Sequence, residues 1–246
     1  MCDLCGDARQ AARVSRRNFL RTGAVAALAP WGIASAFAAD PPAPGAAAPP
    51  NAIAPADALK RLADGNARYA ANTPNERDFS FGRAARAQAQ YPIAAILSCA
   101  DSRVAPELVF DQAPGDLFVV RVAGNIVTPD LLASLEYGVQ FLGVPLIVVL
   151  GHSGCGAVDA AIKVLKGKAV LPGHLPALIA AIKPAVSVAQ KIQGGELLDN
   201  AIAENVRQQM NRLGNSQPIV QKSYAAKKID IVGAVYDLRT GKVVRV

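Results

Sequence analysis

Histidine is scarce in this chain of 246 residues, which contains only His152 and His174. A histidine-rich metal site and a proton relay of several histidines are therefore excluded. Cysteine is also scarce, with four residues, and aromatic residues make up 5% of the chain. No cluster of lysine and arginine is interleaved with aromatic residues, so we expect no nucleic-acid partner.

The N-terminal part reads as an export signal. Residues 15–21 (S-R-R-N-F-L-R) form a twin-arginine motif. The apolar stretch that follows, residues 22–37, is interrupted by Pro30 and is too short to span a bilayer comfortably. Small residues favour cleavage after Ala38 or Ala39. We expect a signal peptide at residues 1–39 and a periplasmic or exported protein without stable membrane association after cleavage. An uncleaved membrane anchor is the alternative.

Removal of residues 1–39 changes the charge and the cysteine count. Five arginines and two aspartates in this segment contribute three of the seven net positive charges, so the remainder is only mildly basic. Cys2 and Cys5 form a C-x-x-C pair there, which we interpret as a feature of the discarded peptide rather than a metal or redox pair. Cys99 and Cys155 remain in an oxidising compartment, where a disulfide between them is an alternative to metal binding.

The rest of the chain is a linker followed by one domain. Residues 40–54 are rich in proline and alanine, which is typical of an extended linker. Residues 55–246 are long enough for a single domain with its own core. A helix predicted at residues 56–71 comes directly after the linker. We expect this helix to lie outside the strand–helix core, free to contact a second subunit.

Strand and helix patterns alternate through the domain. Apolar runs rich in β-branched residues predict strands at residues 93–98, 117–122 and 146–150. Residues 229–246 are predicted to form a strand, a turn at Arg239-Thr240-Gly241 and a last strand. Helices are predicted at residues 83–90, 130–142, 155–165, 175–193 and 196–212. This alternation indicates an α/β fold with a mainly parallel central sheet flanked by helices and a C-terminal edge hairpin.

Two short motifs each follow one of these strands. Residues 99–103 (C-A-D-S-R) follow the first strand, and residues 152–155 (H-S-G-C) follow the strand at 146–150. Chemistry in parallel sheets collects at the carboxyl ends of strands. Two cysteines and one histidine suit a tetrahedral Zn²⁺ site with one position left open. The sequence therefore predicts one zinc ion per chain, held by Cys99, His152 and Cys155.

With both motifs in this order, the chain resembles the β-class carbonic anhydrases. The resemblance extends from residues 65–69 (G-N-A-R-Y) to the last hairpin. It implies a zinc-dependent carbonate dehydratase, a lyase in which zinc-bound hydroxide converts CO₂ reversibly to bicarbonate and a proton. Two alternatives remain: a zinc hydrolase of carbonyl sulfide or carbon disulfide on the same fold, and a non-catalytic zinc-stabilised protein.

The resemblance also implies roles for other residues. Asp101 would accept the proton of the hydroxide in a hydrogen bond, or ligate the zinc itself, and Arg103 would keep Asp101 ionised and away from the metal. Gln90 would hydrogen-bond the substrate, and Phe118 would line the apolar pocket. Tyr137 would reach into the neighbouring subunit's site, and Gly156 would donate its backbone N–H to bicarbonate. We therefore expect a homodimer or a higher homo-oligomer. Residues 120–125 (V-R-V-A-G-N) depart from the commoner R-N-x-A-N pattern.

Overall fold

A five-stranded sheet forms the centre of the molecule. The computed structural model describes residues 48–246, and the predicted signal peptide lies outside them. The strand order is β2-β1-β3-β4-β5, for β1 (Ala94–Ser98), β2 (Leu117–Arg121), β3 (Leu146–His152), β4 (Asp230–Tyr236) and β5 (Val243–Arg245). Strands β1 to β4 pair in parallel, and β5 pairs antiparallel with β4 at the edge. The predicted α/β fold with a C-terminal edge hairpin is confirmed.

The helices cover both faces of this sheet. They are α1 (Pro55–Ala70), α2 (Arg83–Gln88), α3 (Pro106–Val109), α4 (Pro129–Phe141), α5 (Gly156–Leu165), α6 (Leu175–Ala180), α7 (Lys183–Ala189), α8 (Leu197–Gly214) and α9 (Ile219–Ala225). The single helix predicted at residues 175–193 is wrong, because the structure divides it into α6 and α7. Pro184 is near the start of α7, where it has no N–H to donate and its ring would clash with the carbonyl of Ala180 in a continuous helix.

The apolar runs of β1 and β3 are buried at every position, which explains why they show no alternation of polar residues. Alternate residues face opposite layers of the core. Ile96 and Val148 pack in one apolar cluster, whereas Leu97 and Val149 pack in another. Both faces of these two strands are therefore covered by apolar side chains.

Helix α1 packs on the sheet of its own chain. Ala58 and Leu62 are fully buried in the cluster that contains Ile96 and Val148. The prediction that this helix lies outside the core is wrong, because its buried residues belong to the same apolar cluster as residues of β1 and β3. Only its remaining surface is available to a second subunit.

Asn66 fastens α1 to the two segments beside it. Its side-chain amide donates to the carbonyl oxygens of Val109, at 3.0 Å, and Gly241, at 2.8 Å. Its carbonyl oxygen accepts from the N–H of Val243 at 2.8 Å. A buried amide side chain thus satisfies backbone groups at the end of α3 and in the C-terminal hairpin.

The described chain attaches to the domain before α1 begins. The buried side chain of Asn51 donates to the carbonyl oxygens of Pro92, at 3.1 Å, and Leu142, at 2.7 Å. The end of the predicted linker at residues 40–54 is therefore in contact with the folded domain. Among residues 48–246, no helix combines the length and the apolar character needed to cross a membrane.

Candidate metal centre

Neighbouring strands bring two of the candidate ligands to one edge of the sheet. Cys99 directly follows β1, and His152 is the last residue of β3. Because β1 and β3 are parallel neighbours, with Ser98 beside Leu150, both residues lie at the carboxyl ends of the strands. Cys155 is the N-cap of α5 and returns to the same place after a tight turn. Gly154 makes that turn with a φ of 64°, a conformation that favours glycine.

The three candidate ligands form one buried group. The two sulfur atoms and a ring nitrogen of His152 all lie within 4.8 Å of one another. Both cysteines are free thiols, so the alternative of a disulfide between them is wrong for this structure. Two sulfurs and one imidazole nitrogen at this spacing are a donor set that suits zinc.

The orientation of His152 supports this assignment. Its Nδ1 lies 3.0 Å from the carbonyl oxygen of Ser153, which can only accept a hydrogen bond. Nδ1 therefore carries the proton, and the lone pair of the imidazole is on Nε2. That Nε2 atom is buried and has no hydrogen-bond partner within residues 48–246. An orphaned buried nitrogen facing two sulfurs fits a metal ligand.

The two sulfurs influence each other's protonation. A hydrogen bond from Cys155 lowers the pKa of Cys99, and the backbone N–H of Gly124 also donates to this sulfur, at 3.3 Å. The same contact with Cys99 raises the pKa of Cys155. The pair of thiols therefore loses one proton readily and holds the second more tightly. Because a zinc ligand must be a thiolate, metal binding would release that proton.

Asp101 lies beside this group and is held by Arg103. Asp101 Oδ1 accepts from the backbone N–H of Arg103 at 3.0 Å and from its Nε at 2.9 Å, while Oδ2 accepts from Nη2 at 2.8 Å. These hydrogen bonds keep the pKa of Asp101 well below its usual range. Oδ2 is 3.8 Å from His152 Nε2, so the carboxylate faces the candidate metal position while it remains bound to Arg103.

Gln90 and Gly156 are both exposed to solvent. Gln90 lies two residues beyond the end of α2. Gly156 is the first residue of α5, so its N–H has no partner within the helix. A Cβ atom added at Gly156 would meet nothing within 4 Å, so the space beside this residue is open.

The side chains of Phe118 and Tyr137 contact each other, away from the three candidate metal ligands. Their ring centroids are 6.3 Å apart, and the ring of Phe141 lies tilted against that of Tyr137, with centroids 5.3 Å apart. Phe118 is in register with Ala95, four residues before Cys99, which corresponds to about 13 Å along a strand. The structure therefore does not bring this aromatic pair together with the metal ligands of the same chain.

Arg121 is a residue near the site that the motifs do not reveal. Its Nε donates to the carbonyl oxygen of Cys99 at 3.0 Å, and its Nη2 donates to the carbonyl oxygen of Asp101 at 2.6 Å. Arg121 thus supports the backbone on both sides of Ala100. The one signal in the sequence is an arginine at the end of a strand that otherwise consists of apolar residues.

Comparisons with known proteins agree with this geometry. A family model described as carbonic anhydrase matches residues 94–243, which contain all three candidate ligands. The carbonic anhydrase of Mycolicibacterium smegmatis is 40% identical over 190 residues, which cover 77% of this chain and 92% of that protein. The carbonic anhydrase of Pseudomonas aeruginosa is 34% identical over 197 residues, covering 75% of this chain and 86% of that protein.

Solved structures share the fold. The β-carbonic anhydrase of Coccomyxa in complex with acetazolamide has a TM-score of 0.60 and 31% identity, and the match covers 78% of this chain and 84% of that one. A tetrameric β-carbonic anhydrase from Sordaria macrospora has a TM-score of 0.60 and 26% identity, covering 67% of this chain and 86% of that one. On its sequence, its fold and the ligand group at the strand ends, the chain belongs to the β-class carbonic anhydrase family.

Proposed function

We propose that this chain catalyses the reversible hydration of CO₂ to bicarbonate and a proton, with zinc held by Cys99, His152 and Cys155. The observation that carries the proposal is the buried group of two cysteines and one histidine with an ionised carboxylate, that of Asp101, directed at it. A structural zinc site is closed by four protein ligands, whereas three leave one position for water. A non-catalytic zinc site would also have no use for Asp101 and Arg103.

The chain's own residues suit this reaction. Zinc, when bound, lowers the pKa of a water molecule so that a nucleophile exists near neutral pH. Asp101 orients this nucleophile, and Oδ2 is the acceptor atom. Oδ1 already accepts two hydrogen bonds from Arg103, whereas Oδ2 accepts one from Arg103 and faces His152 Nε2. The second lone pair of Oδ2 is therefore available on the metal side.

Asp101 Oδ2 could also block the open metal position. If Arg103 released the carboxylate, Asp101 Oδ2 would be near enough to take the fourth metal position itself. The hydrogen bonds from Arg103 support the open arrangement, in which Asp101 orients the nucleophile and does not act as a ligand. The side chain of Gln90 and the N–H of Gly156 are the donors that we assign to bicarbonate, because both are exposed and the N–H has no helical partner.

The test is a comparison of CO₂ hydration with carbonyl sulfide hydrolysis on one preparation in which zinc has been quantified. We expect about one zinc per chain and hydration with the faster turnover. Faster hydrolysis of carbonyl sulfide would replace the proposed substrate while keeping the zinc site. Stoichiometric zinc without either activity would indicate a zinc-stabilised protein.

We assign the Phe118–Tyr137 pair to the pocket of a second subunit. Tyr137 is 43% exposed and contacts Phe118 and Phe141 at a distance from the metal ligands of its own chain. A two-fold dimer would bring this aromatic surface to the partner's site and would complete two pockets at once. A homodimer, or a higher oligomer built from such dimers, is therefore the proposed assembly.

Subunit mixing tests this assignment. Tyr137→Ala should lower turnover and leave zinc bound, and Cys155→Ala should remove zinc. Mixed dimers should regain activity, because the zinc-free subunit supplies Tyr137 to the zinc-containing subunit. The regained rate should be about one quarter of the wild-type rate per chain, since half of the dimers are mixed and each has one complete site.

Tyr224→Ala is the matched control, because Tyr224 is 42% exposed and lies on α9. This variant should keep full activity alone. Light scattering at micromolar concentration should give a mass of at least two chains for the wild type. A fully active monomer, or no recovery on mixing, would contradict the shared pocket.

We also propose export by the twin-arginine route, which carries folded proteins and suits a metal site that is buried on folding. The supporting observation is the motif at residues 15–21. Replacement of Arg16 and Arg17 by lysine should retain the precursor in the cytoplasm, as measured by cell fractionation. Replacement of Arg9 and Arg13 by lysine, which preserves the same charge outside the motif, should leave export intact. Export of the first variant at the wild-type level would reject the proposal.

A further inference from the structure

Two amide side chains are buried in the apolar face of α8. Asn205 is 1% exposed and Gln209 is 3% exposed, and they are separated by one helical turn. Their neighbours on this face are apolar residues that pack on the sheet, including Val206. A buried amide costs free energy unless its hydrogen bonds are made, so the partners of these two residues indicate what they are for.

Both amides bind the segment that follows β2. Asn205 Nδ2 donates to the carbonyl oxygen of Gly124 at 2.9 Å, and Gln209 Oε1 accepts from the N–H of Val127 at 2.9 Å. Gln209 Nε2 donates to Asn205 Oδ1 at 3.3 Å, which fixes the orientation of the Asn205 amide. Together they attach α8 to residues 124–127, about eighty positions earlier in the sequence.

The segment they hold touches a candidate zinc ligand. Gly124 lies in the short helical turn Ala123–Asn125 with a φ of 75°, and its N–H donates to Cys99 Sγ at 3.3 Å. The positive φ favours glycine, and a Cβ atom here would lie 2.6 Å from Ile182 Cδ1, so that side chain would have to move. The N–H of Gly124 is thus held by the sulfur, and its carbonyl is held by Asn205.

We propose that Asn205 and Gln209 are positioning residues that aim the Gly124 N–H at the Cys99 thiolate and so limit the negative charge that this sulfur gives to the metal. The inference rests on the proposed role of Cys99 as a zinc ligand. An N–H donor stabilises a thiolate and draws charge from it, as a charge-assisted hydrogen bond does for any anion. Groups that orient a metal ligand in this way alter metal affinity by 10- to 100-fold in other sites.

The test uses Asn205→Ala and Asn205→Asp in the full-length protein loaded with Co²⁺ in place of zinc. Aspartate keeps the volume of asparagine but, when ionised, cannot donate to the carbonyl of Gly124. When the Gly124 N–H points less directly at Cys99 Sγ, this sulfur becomes a stronger electron donor to the metal. The sulfur-to-cobalt charge-transfer band should then move to longer wavelength. Zinc affinity, measured by competition with a chelator, should nevertheless fall by about tenfold in both variants, because the N–H stabilises the thiolate, which is the form that zinc binds. Gln209→Ala should shift the band in the same direction by a smaller amount.

Two controls on the same helix separate positioning from simple destabilisation. Val206→Ala removes a buried side chain next to Asn205 without removing a hydrogen bond, and Gln208→Ala removes a side chain that binds only Glu204 among the described residues. Both should keep the wild-type band and affinity. An unchanged band in the two Asn205 variants, or an equal shift in Val206→Ala, would overturn the inference. A band of unchanged wavelength and intensity in Cys99→Ala would instead refute Cys99 as a ligand, because Cys155 alone should give only part of it.

Discussion

Replacement of Cys155 by alanine is expected to abolish zinc binding and CO₂ hydration together. Cys155 supplies one of the three buried ligand atoms, from the N-cap of α5. Loss of a direct ligand should exceed the 10- to 100-fold effects of residues that only support ligands, so turnover should fall by more than about 10²-fold. Zinc content measured by elemental analysis should fall from about one per chain to almost none.

Two further variants make this result specific. Cys155→Ser has nearly the same volume and should also lose zinc, because a serine hydroxyl is a poor substitute for a thiolate. Val158→Ala removes a buried side chain one turn further along α5 and should retain zinc and activity, with only a loss of stability. Stoichiometric zinc in Cys155→Ala would show that the ligand assignment is wrong.

The second large effect is expected from Asp101 and Arg103, which should act as a unit. Asp101→Ala and Arg103→Ala should each lower turnover by about 10²-fold, the lower end of the range for groups that position or transfer a proton. Both should retain zinc, since neither belongs to the three-residue ligand group. The double variant should be little worse than either single variant, because losing one residue already removes the function of the other.

The contribution of Arg103 should be one of geometry rather than ionisation. Arg103 lowers the pKa of Asp101, but an aspartate with an ordinary pKa of about 3.9 is also ionised at pH 7. Arg103→Lys retains the charge but not the two-pronged contact of Nε and Nη2. We therefore expect lysine to restore little turnover. Full restoration by lysine, or losses in the double variant equal to the product of the single losses, would contradict this account. Arg212→Ala, on the exposed end of α8, is the control and should have wild-type turnover.

The strands and the ligand motifs could be predicted because their signals are local. The β-branched runs before Cys99 and His152 are buried at every position of β1 and β3, and each motif begins where its strand ends. Residues close in sequence share one strand or one turn, so their spacing indicates where they are placed. The turn before Cys155 depends on Gly154 and was predictable for the same reason.

Other features could not be predicted because they depend on residues far apart in the chain. The hydrogen bonds of Arg121 to the carbonyl oxygens of Cys99 and Asp101, and that of Asn205 to Gly124, leave no periodic pattern in the sequence. The position of α1 is a similar case. Its apolar stripe indicates burial but does not indicate whether the surface that buries it is its own sheet or another subunit.

The sequence by itself determined the donor atoms of this protein: two sulfurs, one imidazole, and a carboxylate with an arginine two residues away. It also determined that Cys99 and His152 stand at strand ends, since apolar runs and turns are properties of a few consecutive residues. Only the tertiary structure decided which atoms meet. The order β2-β1-β3 places Cys99 next to His152, and the packing of α8 places Asn205 against Gly124. Such contacts depend on shape, burial and hydrogen-bond satisfaction across the whole core, and no short segment of sequence contains that information.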